Sequence, residues 1–392
     1  MEKWPIKKLG EVINTIESGK RPKGGAASAG IPSLGVEHIT QEGGFDFSEL
    51  KFIPESFYEG LTNGKINYGD ILIAKDGATT GKTAFVGESF PFAKAAVNEH
   101  LFIIRGKKSL VLQKFLFFFL LSPIGQNQIL KNKHGAAQGG IDKSFINFIK
   151  IPVPTLTIQQ KIVERLDAIR KAQELNDKQI ELAEELFQSL LHRELDPKGK
   201  KWEVKRLGEL FYRQNETIVP AKDCPSENIN YIGLENIESN SGMLINFTKT
   251  LGENIKSSKF IFRKEDILYG KLRPYLNKVW LAEFDGICST DIWVLRSKQY
   301  YVLPFILANI LRSKEILLQT SSFMVGSNLP RVSKEYFDSI RVHIPPLETQ
   351  QKIVEKLSAV QEYKKKLLER KQKLQELFES VLDKSFKGEL EE

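Results

Sequence analysis

The sequence predicts an α+β protein made of two tandem mixed α/β domains, each followed by one long helix. Three observations predict it: a set of short blocks occurs twice in the same order, β-rich runs punctuated by Gly, Pro and Asn fill each copy, and a heptad seam closes each copy. The 392 residues exceed one ordinary core, so two to three domains is the expectation. At 41% hydrophobic and 27% charged, the composition is that of a globular chain, not a disordered or fibrous one.

The duplication carries the domain reading. WPIKKLGEV at 4–12 returns as WEVKRLGEL at 202–210, and LGVEHI at 34–39 returns as IGLENI at 232–237. Asp70-Ile71-Leu72 with Lys75 matches Asp266-Ile267-Leu268 with Lys271, and QQKIVERL at 159–166 matches QQKIVEKL at 350–357. The offset between copies shrinks by small steps, and the last falls near Gly87–Ala95, where a loop can lose residues cheaply. The expected divisions are a first domain at 1–155, a helix at 156–195, a linker at 196–201, a second domain at 202–346 and a second helix at 347–392.

Within the first copy, Ile71–Ala74, Thr83–Val86 and Leu101–Arg105 read as strands between turn signals. An apolar helix follows at Val111–Leu121, with Val302–Leu311 as its counterpart. Pro152 and Pro154, and likewise Pro345 and Pro346, end the globular parts. Trp4 and Trp202 read as anchors, each followed by apolar residues (Ile6 and Leu9, Val204 and Leu207). Beyond the prolines, Ile162, Leu166, Ile169, Gln173, Asn176, Ile180, Ala183, Phe187 and Leu190 alternate in steps of four and three. Ile353, Leu357, Val360, Lys364, Leu367, Lys371, Leu374, Phe378 and Val381 do the same. Both are coiled-coil seams, about 35 residues and roughly 50 Å long. Thr157 and Thr349 are the candidate helix caps.

Several chemistries are excluded. The longest apolar run, Phe115–Leu121, is far short of the roughly 20 residues of a membrane span, and MEKWPIKKLGEV has no signal-peptide core. Cys224 and Cys288 stand far apart, which argues against a disulfide framework and for a reducing, cytoplasmic setting. Gly77–Thr83 (GATTGKT) resembles a phosphate loop, but it is one residue short and its second-copy partner, Leu272–Val279, holds no glycine. A methyltransferase would need a Gly-rich cofactor turn and an aromatic-ended Pro-Pro tetrapeptide, and the chain has neither. Glu203-Val204-Lys205 imitates part of a nuclease motif, yet its partner is Pro5-Ile6-Lys7. The five histidines form no metal-ligand spacing. No catalytic residue, metal site or cofactor is expected in this chain.

The positive charge is placed unevenly. The net charge is +8: residues 1–155 carry +5, the first helix −2, the linker 196–201 +2, residues 202–346 +3, and the second helix is neutral. The globular parts are therefore the candidates for a polyanion and the helices for protein partners. Three basic loop regions per copy place cations beside hydrogen-bonding side chains. The first holds Lys20, Arg21 and Lys23, with Arg213 and Gln214 near its counterpart. The second holds Lys75, Thr79, Thr80 and Lys82 against Lys271, Arg273, Tyr275, Asn277 and Lys278. The third holds Lys133, Gln138 and Lys143 against Asn328, Arg331 and Lys334. Lysines neutralise phosphates, whereas Arg, Asn and Gln can pair with base edges. Different polar residues on one frame suit two different base sequences, although such stretches also occur as plain solvated turns.

The full chain resembles the specificity subunit of type I restriction–modification enzymes. WPIKKLGEV, GDILIAKDGATTGK, HGAAQGGIDKSFINFIKIPVP and TIQQKIVERLDAI carry the resemblance, with YGKLRPYLNKV and RVSKEYFDSIRVHIPPLETQQKIVEKL in the second copy. The resemblance implies two target recognition domains joined by two spacer helices packed antiparallel within one chain, with pseudo-two-fold symmetry. Each domain would read half of a bipartite site in double-stranded DNA. Methyltransferase and restriction subunits would dock around the chain and bring S-adenosylmethionine, ATP and Mg. The competing expectations are a self-sufficient DNA methyltransferase and a coiled-coil scaffold without DNA specificity. The polar seam residues Gln173, Asn176, Lys364 and Lys371 are expected to help fix the helix register.

Overall fold

The computed structural model describes residues 4–134, 139–326 and 329–389. The chain divides into two compact units, one of Met1–Lys178 with Leu368–Glu392 and one of Gln179–Leu367. The prolines mark where the helices begin, but each unit extends further, because the helices supply apolar faces that complete its core. The architecture is α+β in both units.

In the first unit, Ile13–Ser18, Leu101–Gly106, Ile71–Ala74 and Thr83–Phe85 form an antiparallel sheet in that order. The second unit repeats it with Phe211–Gln214, Ile292–Ser297, Ile267–Gly270 and Val279–Leu281. Every residue of Ile71–Ala74 and of Ile267–Gly270 is buried, as the unbroken apolar runs require of central strands. A smaller sheet flanks each, with one parallel pair (Ser33 with Ala96, Tyr231 with Ile287). The globular chain begins and ends as a clasp: Ile6–Lys8 pairs with Lys150–Pro152, and Glu203–Arg206 with Arg341–Ile344. Leu9 and Leu207 are buried as expected, but Ile6 and Val204 face solvent, because alternate residues of a clasp strand point outward.

The helix Gln113–Leu121 buries all of Phe115–Leu120. Its core takes Ile162, Val163 and Leu166 from the first long helix (Leu156–Leu195) and Phe378, Leu382 and Phe386 from the second (Leu347–Lys387). The second unit's core joins Ile306–Leu311 to Phe187, Leu191, Ile353 and Leu357.

Within each unit the two long helices run antiparallel. In the first, Gln173 Nε2 donates to Gln375 Oε1 (3.1 Å), and Asp177 meets Lys371 (2.9 Å). In the second, Glu184 meets Lys364 (2.6 Å) and Glu194 meets Lys356 (3.1 Å). Gln173, Lys364 and Lys371 thus bond across the helix pair, and Asn176 is buried. The cap differs from expectation. Thr157 lies inside the first turn, and Thr155 caps the helix instead, its Oγ1 accepting from the Ile158 N–H (3.5 Å). The second helix begins at Leu347, which leaves Thr349 inside it.

The repeated Gln at each helix head has a structural role. Gln159 is fully buried; it accepts from the Leu112 N–H (2.8 Å) and donates to the carbonyls of Leu110 (3.0 Å) and Pro154 (2.9 Å). Gln350 repeats this with the Leu303 N–H (2.8 Å) and the carbonyls of Tyr301 (2.9 Å) and Pro345 (2.8 Å).

Candidate nucleic-acid interface

In the first unit the three basic loop regions meet at the end of the central strand. The Lys75 N–H donates to the His100 carbonyl (3.0 Å), and the Ile141 N–H donates to the Lys75 carbonyl (2.8 Å). That second bond ties the 131–143 loop to the 75–82 loop, and Lys133 Nζ adds a bond to the Gly77 carbonyl (2.9 Å). The 18–25 loop joins through Arg21, which pairs with Glu99 (3.1 Å). His100 Nδ1 lies 2.8 Å from Asp76 Oδ2, between the loops.

The second unit builds the same frame from other side chains. The Lys271 N–H donates to the Asp291 carbonyl (3.1 Å), the Val332 N–H to the Lys271 carbonyl (3.3 Å) and the Arg273 N–H to the Pro330 carbonyl (2.8 Å). Arg331 pairs with Asp291 (2.9 Å). Burial pushes the Lys271 ammonium below its ordinary value; Asp291 opposes this, and Arg331 and Arg213 add to it. With Arg213 matched by Asp338, Lys271 and Arg331 around the Asp291 carboxylate leave one surplus positive charge beside the exposed Arg273 and the half-exposed Tyr275. Such a site suits an anionic backbone with base edges beyond it.

The predicted residues divide by orientation. Lys20, Lys23, Lys133, Lys143, Arg273, Tyr275 and Lys334 are exposed. Arg21 is exposed although paired with Glu99, and Lys75, Lys271 and Arg331 are partly exposed, within the frame; Lys75 Nζ lies 5.4 Å from the Phe102 ring centroid. Gln138 and Asn328 lie outside the described residues. The others turn inward, against expectation.

Arg213 grips both oxygens of Asp338 (3.1 and 2.9 Å) and stacks on Trp293 (4.5 Å), because a strand residue beside an aromatic wall finds its partner inside the unit. Gln214, half-buried beside it, donates to the Tyr212 carbonyl (3.4 Å). Lys82 and Lys278 donate to the carbonyls of Ile39 (3.5 Å) and Leu234 (2.6 Å), beside and in the short turns within the 34–39 and 232–237 repeats. They brace loops, which explains why both copies keep them. Thr80 is buried and donates to Gly77 and Gly139, while Thr79 bonds the Asp76 carbonyl (3.2 Å). Asn277 is 7% exposed with its amide engaged. No helix follows Gly77–Thr79; Thr83–Phe85 is a strand, so the phosphate-loop geometry is absent there.

Sequence reasoning passed over Glu99, His100 and Asp291. The available signal was position: Asn98-Glu99-His100 and Ser289-Thr290-Asp291 precede the matched strands Leu101–Gly106 and Ile292–Ser297.

Each unit also fastens a neighbouring glycine turn with an arginine. In the first, Arg170 of the long helix donates to the Glu42 carbonyl (2.5 Å) and lies over Phe117 and Phe118 (5.0 and 5.4 Å). In the second, Arg312 of the helix Pro304–Arg312 donates to the Ser241 carbonyl (2.6 Å). Gly43 and Gly242 follow those carbonyls with φ of 84° and 66°; a Cβ on Gly242 would strike Arg312, and one on Gly43 would crowd Phe117 and Arg170.

The family model for the type I restriction modification DNA specificity domain matches twice, at residues 1–185 and 199–377. The chain belongs to this family. A similar curated relative is the type I restriction enzyme EcoDI specificity subunit of Escherichia coli, 24% identical over 321 residues, 72% of this chain and 71% of that one. The putative MjaX specificity subunit of Methanocaldococcus jannaschii is 23% identical, covering 98% of this chain and 92% of its own. Among solved structures, a chain from a study of type I R-M complex assembly superposes with a TM-score of 0.61 at 19% identity, covering 100% of this chain and 99% of that one. The type I S subunit from M. genitalium gives 0.59 at 14% identity, covering 98% and 96%. These likenesses establish the shared fold. Among the described residues, no helix of this specificity-family chain is long and apolar enough to cross a membrane.

Proposed function

We propose that the chain is the DNA-binding specificity subunit of a type I restriction–modification complex and that each unit reads one half of an asymmetric, bipartite target. One observation carries the reading: the same bridged pair of loops occurs in both units, with His100, Asp76 and Lys133 on one and Lys271, Arg331 and Arg273 on the other. A common frame with unlike side chains suits two unlike half-sites. In this reading the chain is not itself an enzyme. Cytoplasmic methyltransferase and restriction subunits perform the chemistry and bring S-adenosylmethionine, ATP and Mg. Sequencing methylated sites in cells with and without the chain tests it: one bipartite motif should vanish on deletion, and an unchanged methylation pattern refutes it.

Arg273→Ala should cost about 1–3 kcal/mol on one half-site and relax base preference there, because a guanidinium can make a paired contact to a base edge that alanine cannot. An untouched motif would remove Arg273 from the interface. The long helices, 40 and 41 residues without a break, suit a ruler. Seven residues added to each lengthen it by about 10 Å, which is about three base pairs of B-DNA, with DNA twist absorbing the residual rotation. Methylation should then move to a motif with both half-sites kept and a longer spacer. A changed half-site with the old spacer would contradict the ruler.

A further inference from the structure

We infer that Asn277 and Arg312 are positioning residues that set the pose of the Arg273–Tyr275 loop, and through it the base preference of the second half-site. The inference rests on the proposed reading that this loop meets DNA. The loop is a tight turn in which Arg273 and Asn277, at φ 51° and 50°, flank Pro274-Tyr275-Leu276 in left-handed conformations. Leu276 and Asn277 donate their N–H groups back to the Arg273 and Pro274 carbonyls (2.9 Å each). The turn is therefore rigid in itself, and its pose depends on how its ends are held.

One end is held by the Pro330 carbonyl. Asn277 holds the other. Its Nδ2 donates to the Arg312 carbonyl (2.9 Å), at the C-terminus of the helix Pro304–Arg312, and to Asn240 Oδ1 (3.2 Å). Its own carbonyl accepts from the Asn240 N–H (3.2 Å). Arg312 completes the circuit: Nη1 donates to the Ser241 carbonyl (2.6 Å) and Nη2 to Asn309 Oδ1 (2.8 Å), so the 238–242 segment and the helix end are tied together. Burial pushes the Arg312 guanidinium down to about 10, with the Glu184 carboxylate opposing, and both of its Nη groups are engaged by the unit's own acceptors.

The first copy braces the same place in another way. Gly81 stands where Asn277 does, at φ 92°, and the amide comes from the opposite side: Gln126 donates to the Gly81 carbonyl (2.8 Å) and to the Leu120 carbonyl (2.6 Å) at the helix end. Two different side chains serving one brace indicate that the loop's attachment to the helix end matters in both copies.

The test uses the full chain assembled with its methyltransferase subunits, on duplexes in which each base pair of the second half-site is replaced in turn. Asn277→Gly is the informative variant, because glycine keeps the left-handed backbone and removes only the side-chain ties. Discrimination should fall roughly tenfold at the base pairs that Arg273→Ala affects, with first-half-site discrimination unchanged. The double variant should lose no more than Arg273→Ala alone, since a misplaced arginine and a missing one fail alike. Arg312→Gln should show the same base pattern, and Arg312→Lys should restore part of it. A uniform loss across all duplexes, no change at all, or fully additive losses would overturn the positioning role. If Arg273→Ala itself leaves the second half-site intact, the DNA reading of this loop falls first, and the inference falls with it.

Discussion

Asp266→Ala should destabilise the second unit by about 3 kcal/mol or more, the range expected when one partner of a buried ion pair is removed. The Asp266 side chain is 2% exposed and accepts from Arg296 Nε and Nη2 (both 2.8 Å) and from the Arg263 N–H (2.8 Å). Alanine leaves that amide and the guanidinium without the acceptor. Arg296 is 39% exposed and keeps some water, which places the cost at the low end of the range. Asp70 makes the same fork to Arg105 (2.6 and 2.7 Å), but Arg105 also pairs with Glu17 (3.0 Å). Asp70→Ala should therefore cost less than Asp266→Ala. Calorimetry should show Asp266→Ala lowering one unfolding transition while the other stays in place. Equal shifts of both transitions, or none, would contradict the assignment.

Gln350→Leu should cost about 3 kcal/mol or more in the same unit. The substitution is close in volume, so the loss isolates hydrogen bonding from packing. It strands the part-buried Leu303 N–H and Tyr301 carbonyl and the buried Pro345 carbonyl, at about 1–3 kcal/mol for each buried group left unpaired and less where water reaches. Gln159→Leu should lower the first unit's transition by a similar amount. Denaturant midpoints for each unit, with unchanged slopes, would check both. A midpoint shift below that of an ordinary surface substitution would mean that water replaces the amide.

The duplicated blocks and the alternation of β-rich runs with turns made the sheets, the apolar helices and the long helices legible. Side-chain direction was not. Asp70 and Asp266 were visible as repeated residues, but their arginines stand 35 and 30 residues away on another strand, and only the sheet register brings them together. The first Gln of each helix head was visible as a motif without its role, since its partners are backbone groups before the helix. Among the basic loop residues, composition cannot separate Arg273, which points out, from Lys278, Arg213 and Asn277, which find carbonyls and carboxylates inside the unit. The frame was legible, while the choice of which cation is free depends on local geometry.

The two arginine fasteners also bear on how such chains could trade specificities by recombination. Arg312 lies inside the 202–346 stretch, so a cassette cut at its bounding prolines carries the second copy's fastener with it. Arg170 lies beyond Pro154, on the long helix, so a cassette cut there leaves the first copy's fastener behind in the donor. A transplanted first copy would then work only in a host whose helix presents an arginine at that register and whose incoming loop keeps its glycine. Productive crossovers for the first copy should fall after Arg170, whereas those for the second can fall at the prolines.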